Sequence, residues 1–201
     1  MLSKRGEPVA REGELFEPVA KARGGQAVAL KSTPELLGDA AQYANAGVVV
    51  WGPGKLEHTP PANLTPEFQK LTIDFVKSGG DLVIFEQWGA KNTKVLDTMF
   101  GVVVAGYIAK GPTIEYAPLK DRLHKKGVTD QDLQGFSYYN TYTGFPKDAI
   151  VLLKGNGGTA AVVAPFGKGR LILLGLHLKA PEAHFIDGII ELLYPTRDSP
   201  K

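Results

Sequence analysis

Two polar residues, Glu86 and His177, stand where runs of apolar residues end, and their types make them the first candidates for catalysis. The first run is GGDLVIFEQWGA (Gly79–Ala90), and the second is GKGRLILLGLHL (Gly167–Leu178). Such runs are typical of strands that are buried on both faces of a parallel sheet. Because chemistry gathers at the carboxyl ends of these strands, we expect both side chains at one edge of the sheet.

A glutamate beside a histidine can activate water as a general base or bind a cation. The same pair can instead hydrogen-bond and fill space without any reaction, which is the interpretation we favour. Under either interpretation, we expect the carboxyl group of Glu86 and the imidazole of His177 to lie within hydrogen-bonding reach or to share one bridging water.

A metal site at this edge is a weaker hypothesis. His177, Glu182 and His184 carry suitable ligand atoms, but Glu182 and His184 point in different directions at the start of a predicted helix. Gly167–Arg170 (GKGR) and Gly155–Gly158 (GNGG) lack the spacing of a phosphate-binding loop and are typical of strand turns. We therefore predict neither a metal nor a cofactor.

Aromatic and amide side chains gather at the same predicted edge. Trp51 ends one strand, Gln87 and Trp88 follow another, and Tyr139 lies in the segment 108–148. We expect that segment to be irregular, with short strands and one short helix, and to cover the edge. Rings with polar tips suit sugar faces and protein interfaces equally, and ordinary packing is the alternative. The predicted ligand is a small polar molecule or carbohydrate held by Trp51, Gln87, Trp88 and Tyr139, with Tyr138 and Tyr142 close by.

The composition bounds what the chain can do. It has 201 residues, 43% of them hydrophobic and 22% charged, which predicts one globular domain over 1–201 with frayed ends at 1–10 and 196–201. It has no cysteine, which excludes disulfides, thiolate metal sites and a cysteine nucleophile but indicates no compartment. A net charge of +2, with scattered basic residues, favours neither nucleic-acid nor membrane binding.

Alternating strands and helices must position these residues. The clearest helix begins at Thr65-Pro66, shows a buried stripe at i, i+3 and i+4, and stops at Gly79-Gly80. The alternation predicts an α/β fold, a three-layer sandwich with a flavodoxin-like, mostly parallel sheet and helices on both faces. The predicted strands are 26–31, 47–51, 81–86, 102–107, 150–153, 160–165 and 170–176, and the other helices are 12–22, 33–44, 91–100 and 180–194.

The start of the chain departs from this pattern. Such a fold normally begins with a central strand, whereas here a helix comes first and Leu2–Val9 carries charges and a proline. An uncovered sheet edge is a template for pairing, so we expect a homodimer or a covering segment from a parent multidomain protein. If Leu2–Val9 closes the gap instead, this reason for dimerisation weakens.

The order GVVVWGPG … LTPEFQKLTIDFVKSGGDLVIFEQ … GKGRLILLGLHL resembles the class I glutamine-amidotransferase-like superfold across residues 26–194. It is most similar to trehalose-utilisation-type domains and to amidotransferase-like domains appended to bacterial glycoside hydrolases. The stretch DRLHKKGVTDQDLQGF (Asp121–Phe136) is similar to the His-Pro-Leu-x-x-Gly-Leu-x-x-x-Asp-Leu stretch common in the latter.

The resemblance implies a site that has lost its original chemistry. Glu86 falls on the position of the amidotransferase cysteine and cannot form a glutamyl thioester, so glutaminase activity is not expected. His177 matches the catalytic histidine, but Leu178 and Lys179 replace the proline and glutamate that follow it. The implied function is a non-catalytic accessory or oligomerisation module of carbohydrate-associated proteins. The alternatives are a hydrolase of a sugar derivative, ester or lactone that uses Glu86 and His177 on water, and a regulatory or protein-interaction module.

Overall fold

A nine-stranded open sheet organises the part of the chain that the computed structural model describes, residues 26–29, 43, 46–52, 64–87, 90–134, 137–176 and 180–195. With its helices, the sheet makes a mixed α/β fold. The strands are β1 (Gln26–Ala29), β2 (Ala46–Trp51), β3 (Asp81–Phe85), β4 (Val103–Lys110), β5 (Thr113–Ile114), β6 (Ser137–Thr143), β7 (Ile150–Gly155), β8 (Gly158–Phe166) and β9 (Gly169–Leu174). The helices are α1 (Pro66–Ser78), α2 (Ala90–Phe100), α3 (Ala117–Lys125), α4 (Asp130–Gln134) and α5 (Ala180–Leu193).

Only half of the sheet is parallel. Strands β1, β2, β3 and β9 lie side by side in this order, and each pairs in parallel with the next. Every residue of β3 is buried, as expected for a strand that carries apolar side chains on both faces. These four strands correspond to the predicted strands 26–31, 47–51, 81–86 and 170–176. The carboxyl ends of β2, β3 and β9 carry the candidate site.

The expectation of a mostly parallel sheet is wrong for the other half. Strands β8, β7, β6, β5 and β4 extend the sheet by antiparallel pairing. Strand β8 has a buried apolar stretch like those of the parallel strands, so burial alone does not distinguish them. The connections decide the direction, because the turns at 156–157 and 167–168 are too short for a parallel crossover. Both turns were predicted from their glycines.

Helix α1 forms as its sequence predicts. The Thr65 hydroxyl accepts a hydrogen bond from the Phe68 amide at 3.2 Å and caps the first turn. Gly79, with a φ of +123°, ends the helix in a conformation that favours glycine. Strand β3 begins two residues later, and a methyl group on Gly80 would lie 2.2 Å from the Phe75 ring. The connection therefore leaves little freedom in how α1 leads into the sheet.

Two apolar cores lie on opposite faces of the sheet. Along β3, Leu82 and Ile84 pack into a core that also contains side chains of α1 and α2, and we call it the α1/α2 core. Val83 and Phe85 point the other way and pack with side chains of α3 and α5 in the α3/α5 core. The alternation follows from the two-residue period of a strand, so β2, β3 and β9 each contribute side chains to both cores.

Some predicted elements differ from the observed ones, and others fall outside the described residues. The segment 108–148 is more regular than expected, since it holds β5, two helices and the seven-residue β6. The predicted helix 12–22, the segment Leu2–Val9 and the tail 196–201 lie outside the described residues, as does all of 33–44 except the helical Tyr43. None of the described helices is long and apolar enough to span a membrane.

A buried ion pair joins β3 to β9 at the amino ends of these strands. Asp81 and Arg170 are register partners, and the guanidinium donates two hydrogen bonds to the carboxylate, at 3.1 Å from Nε and 2.6 Å from Nη2. Tyr194, just after α5, donates its hydroxyl to the same carboxylate, and its ring lies 4.9 Å from the guanidinium carbon. Burial alone would lower the pKa of Arg170, but the interactions with Asp81 and Tyr194 raise it above its ordinary value.

We expect Asp81→Asn to lower the free energy of unfolding by about 3 kcal/mol, because it leaves a half-buried guanidinium without its counter-charge. Urea unfolding followed by circular dichroism measures this loss. Asp74→Asn is the matched control, since Asp74 pairs with Lys70 on the exposed side of α1 and should change stability by less than about 0.5 kcal/mol. Equal effects of the two substitutions would contradict the structural role of the Asp81 pair.

Candidate functional site

The predicted site residues lie at the carboxyl ends of β2 and β3. Trp51 is the last residue of β2, and Glu86 and Gln87 follow β3 directly. All three side chains are buried. His177 and Trp88 lie outside the described residues, so the contact between Glu86 and His177 stays a prediction.

The Asn140 side chain of β6 binds the main chain of Gln87 with both of its polar atoms. The Gln87 amide donates to Asn140 Oδ1, and Asn140 Nδ2 donates to the Gln87 carbonyl at 2.8 Å. Both residues are buried, with 1% of each exposed. The carboxamide thus makes the two hydrogen bonds that a neighbouring strand would make with the main chain of Gln87. It satisfies an amide and a carbonyl that water cannot reach.

Strand β6 lies across the carboxyl end of β9 to reach this position. The Asn140 amide donates to the Gly175 carbonyl at 3.4 Å, and Tyr138 forms an isolated bridge with Leu176. A methyl group on Gly175 would lie 2.3 Å from the Asn140 carbonyl oxygen, so only glycine permits this approach. Within the segment 108–148, β6 therefore meets the carboxyl end of β9 by direct backbone contact.

Two tyrosines of β6 enter opposite cores on either side of Asn140. Tyr138 packs in the α3/α5 core over Gly155, and its hydroxyl accepts a hydrogen bond from the Asn156 amide at 2.9 Å. Tyr142 packs in the α1/α2 core, where its hydroxyl makes no hydrogen bond with any described residue. Burial raises the pKa of Tyr142, and the charge of Glu86 raises it further. Tyr139 belongs to β6, but its side chain lies outside the described residues.

Trp51 is packed inside the α1/α2 core. Its indole stacks on the Phe68 ring with centroids 5.8 Å apart and an interplanar angle of 20°. Nearby, the Tyr43 hydroxyl hydrogen-bonds to Thr72 Oγ1 at 2.9 Å. Burial raises the pKa of Tyr43 to about 12, against the opposing effects of Thr72 and Trp51. The Trp51 indole nitrogen has no partner of hydrogen-bonding geometry within the described ranges.

The Gln87 side chain ties β2 to β3. Its Nε2 donates to the Gly52 carbonyl at 3.2 Å and to the Phe85 carbonyl at 2.7 Å. The amide nitrogen of Gln87 therefore donates both hydrogen bonds to the protein's own backbone. The ligand-binding roles of Trp51, Gln87, Trp88 and Tyr139 stay predictions, and the burial of Trp51 is what the packing alternative expects.

The described part of the edge therefore holds a buried carboxylate, two amide side chains and a tyrosine hydroxyl within a dense core. Nowhere in the described ranges do three histidine, aspartate or glutamate side chains come together as a metal site. Sequence reasoning missed Asn140, although a lone amide in the aromatic strand SYYNTYT was a usable signal.

Scans against protein families and against curated protein sequences find no match to this chain. Among solved structures, it resembles the mmIFT52 N-terminal domain, with 12% identity, a TM-score of 0.51 and coverage of 98% of this chain and 97% of that one. It also resembles the cytoplasmic protein STM1381 from Salmonella typhimurium LT2, with 16% identity, a TM-score of 0.48 and coverage of 82% and 76%. A β-galactosidase from Rahnella sp. R3 is 14% identical, with a TM-score of 0.46, and the match spans 79% of this chain and 24% of that enzyme. At these identities the similarity concerns the fold alone.

The two buried tyrosines of β6 allow a paired test. We expect Tyr138→Phe to lower the free energy of unfolding by about 1 kcal/mol, because the Asn156 amide loses its acceptor. Tyr142→Phe should leave it unchanged or raise it by up to about 1 kcal/mol, because it removes a buried hydroxyl that forms no hydrogen bond with the described residues.

The same variants differ in alkaline solution. A raised folded-state pKa means that the stability contributed by neutral Tyr142 is complete below about pH 10 and is lost as the pH rises further. Tyr142→Phe should reduce this loss, as measured by urea unfolding across the alkaline range. Equal destabilisation by both substitutions at neutral pH would mean that Tyr142 has a partner after all.

We expect Asn140→Ala to lower the free energy of unfolding by about 3 kcal/mol, because the buried amide and carbonyl of Gln87 lose their partners together. Asn156→Ala is the control, since it removes an exposed carboxamide from a hairpin turn and keeps the backbone amide that binds Tyr138. Its effect should stay within about 0.5 kcal/mol. Comparable losses in both variants would refute the proposed importance of the Asn140 contact.

Proposed function

We propose that this chain is a non-catalytic amidotransferase-like module, an accessory or oligomerisation domain of carbohydrate-associated proteins with a flavodoxin-like three-layer core. The observation that carries the proposal is the complete burial of Glu86, at the position where the resembled enzymes hold their nucleophile. The carbohydrate association rests on the resemblance seen in the sequence.

The burial of Glu86 argues against a reaction in solution at this position. A general base must reach its proton directly or through one water, and a nucleophile must touch its substrate. Glu86 has 0% of its surface exposed, and the next residue, Gln87, is held by Asn140. A substrate could therefore meet the carboxylate only if the surrounding structure opened.

The stretch that resembles glycosidase-associated domains supports a structural role. It begins within α3 and continues through α4. Leu123 and Val128 from this stretch are buried in the α3/α5 core, and Arg122 and Lys126 pair with Glu191 of α5 at 3.3 and 2.6 Å. The stretch is therefore used to hold two helices together on one face of the sheet.

A hydrolase of a small ester, lactone or sugar derivative is the second candidate. It is favoured by the Tyr142 hydroxyl, which is buried, forms no hydrogen bond within the described residues and is influenced by the charge of Glu86. A neutral phenol in that setting can donate a hydrogen bond to a bound molecule. In this alternative, Glu86 and His177 activate water.

Activity assays separate the two candidates. We expect purified protein to release no ammonia from glutamine, because the chain has no thiolate. We also expect it to hydrolyse p-nitrophenyl acetate and gluconolactone no faster than Glu86→Gln and His177→Ala do. Circular dichroism verifies that the variants are folded. Turnover that is lost in both folded variants would overturn the non-catalytic proposal and favour the hydrolase.

A further inference from the structure

Strand β4 forms one edge of the sheet along eight residues, Val103–Lys110. It pairs antiparallel with β6 on one side, and within the described ranges no strand pairs with its other side. The opposite end of the sheet is the four-residue β1, which pairs in parallel with β2. An edge strand of this length presents a row of backbone donors and acceptors to any chain that can lie beside it.

The first half of β4 lacks the features by which proteins protect such edges. Val103 is 48% exposed, the highest value among the large hydrophobic residues described, and Ala105 and Gly106 are exposed too. A methyl group on Gly106 would meet nothing within 4 Å. The register shift against β6 comes only after Gly106, and the strand contains neither proline nor an acidic residue. Natural edges usually carry inserted charges, prolines or bulges.

We propose that a second copy of this chain binds along β4, so that two β4 strands pair antiparallel about a two-fold axis and join the sheets. This inference rests on the proposed oligomerisation role and names its surface and partner. The axis passes through the 103–106 half of the strand, where Val103 of each copy becomes covered.

Charge and symmetry favour this arrangement over others. Lys110 is the one charged residue of β4 and stands at its carboxyl end. Antiparallel pairing places the two lysines at opposite ends of the junction, whereas parallel pairing would set them side by side and destabilise it. An antiparallel pair of identical strands is also isologous, so assembly through β4 closes at two copies and leaves neither β4 edge free.

The affinity should be modest. A junction centred on the four residues 103–106 of each copy should bury less than the roughly 800 Å² per partner of a standard stable interface. We therefore expect a dimer that forms in the micromolar range and dissociates on dilution.

Sedimentation velocity across a concentration series tests the proposal with a matched pair of variants. Val103→Lys places a charge in the junction. Ile150→Lys places one on β7, at a large hydrophobic residue that is 37% exposed. We expect Val103→Lys to be monomeric at concentrations where the wild type and Ile150→Lys are dimeric. Ala105→Lys is the second variant, for use if Val103→Lys does not fold.

Hydrogen exchange gives an independent measurement. Amides of the peptide 102–110 should exchange more slowly in concentrated than in dilute wild-type protein, and this difference should vanish in Val103→Lys. A dimer that is unaffected by both β4 variants would overturn the surface assigned here while leaving an oligomerisation role intact. A wild type that stays monomeric at high concentration would overturn the β4 pairing itself, whereas hydrolytic turnover would count against the proposed function alone.

Discussion

The carboxamide of Asn140 determines how the two halves of the sheet meet. Parallel strands end in amides and carbonyls that need partners, and β3 ends in a region from which water is excluded. By binding both polar atoms of the Gln87 main chain, Asn140 lets the chain leave β3 inside the protein. The same contact holds β6 over Gly175, and from this position Tyr138 and Tyr142 enter separate cores.

Local patterns in the sequence predict much of the parallel half. The amphipathic stripe of α1, its Thr65 cap and its glycine stop give the helix and the start of β3 nearly to the residue. The apolar runs of β2, β3 and β9 are equally clear. What these patterns do not contain is the direction of pairing, since the AAVVA stretch of β8 is as buried as a parallel strand and yet antiparallel. The direction of pairing follows instead from the short turns before and after β8.

The site was harder to predict than the fold. The ends of β2 and β3 were identified correctly, and so was the edge they share. The contacts there depend on residues that are far apart in the chain, such as Asn140 with Gln87, and no local period links them. The Asp81–Arg170 pair was missed for the same reason, although a charge inside an apolar strand is itself a sign that a buried partner exists.

The position of β9 within the sheet constrains when the protein can fold. Strand β9 lies between β3 and β8. Asp81 therefore cannot form its ion pair until Arg170, 89 positions later in the chain, has been synthesised. During synthesis, β2 and β3 emerge long before the strand that completes the centre of the sheet. Contacts of such long sequence separation slow folding and leave apolar edges exposed meanwhile. We therefore expect the nascent chain to be most prone to aggregation between the synthesis of β3 and that of β9.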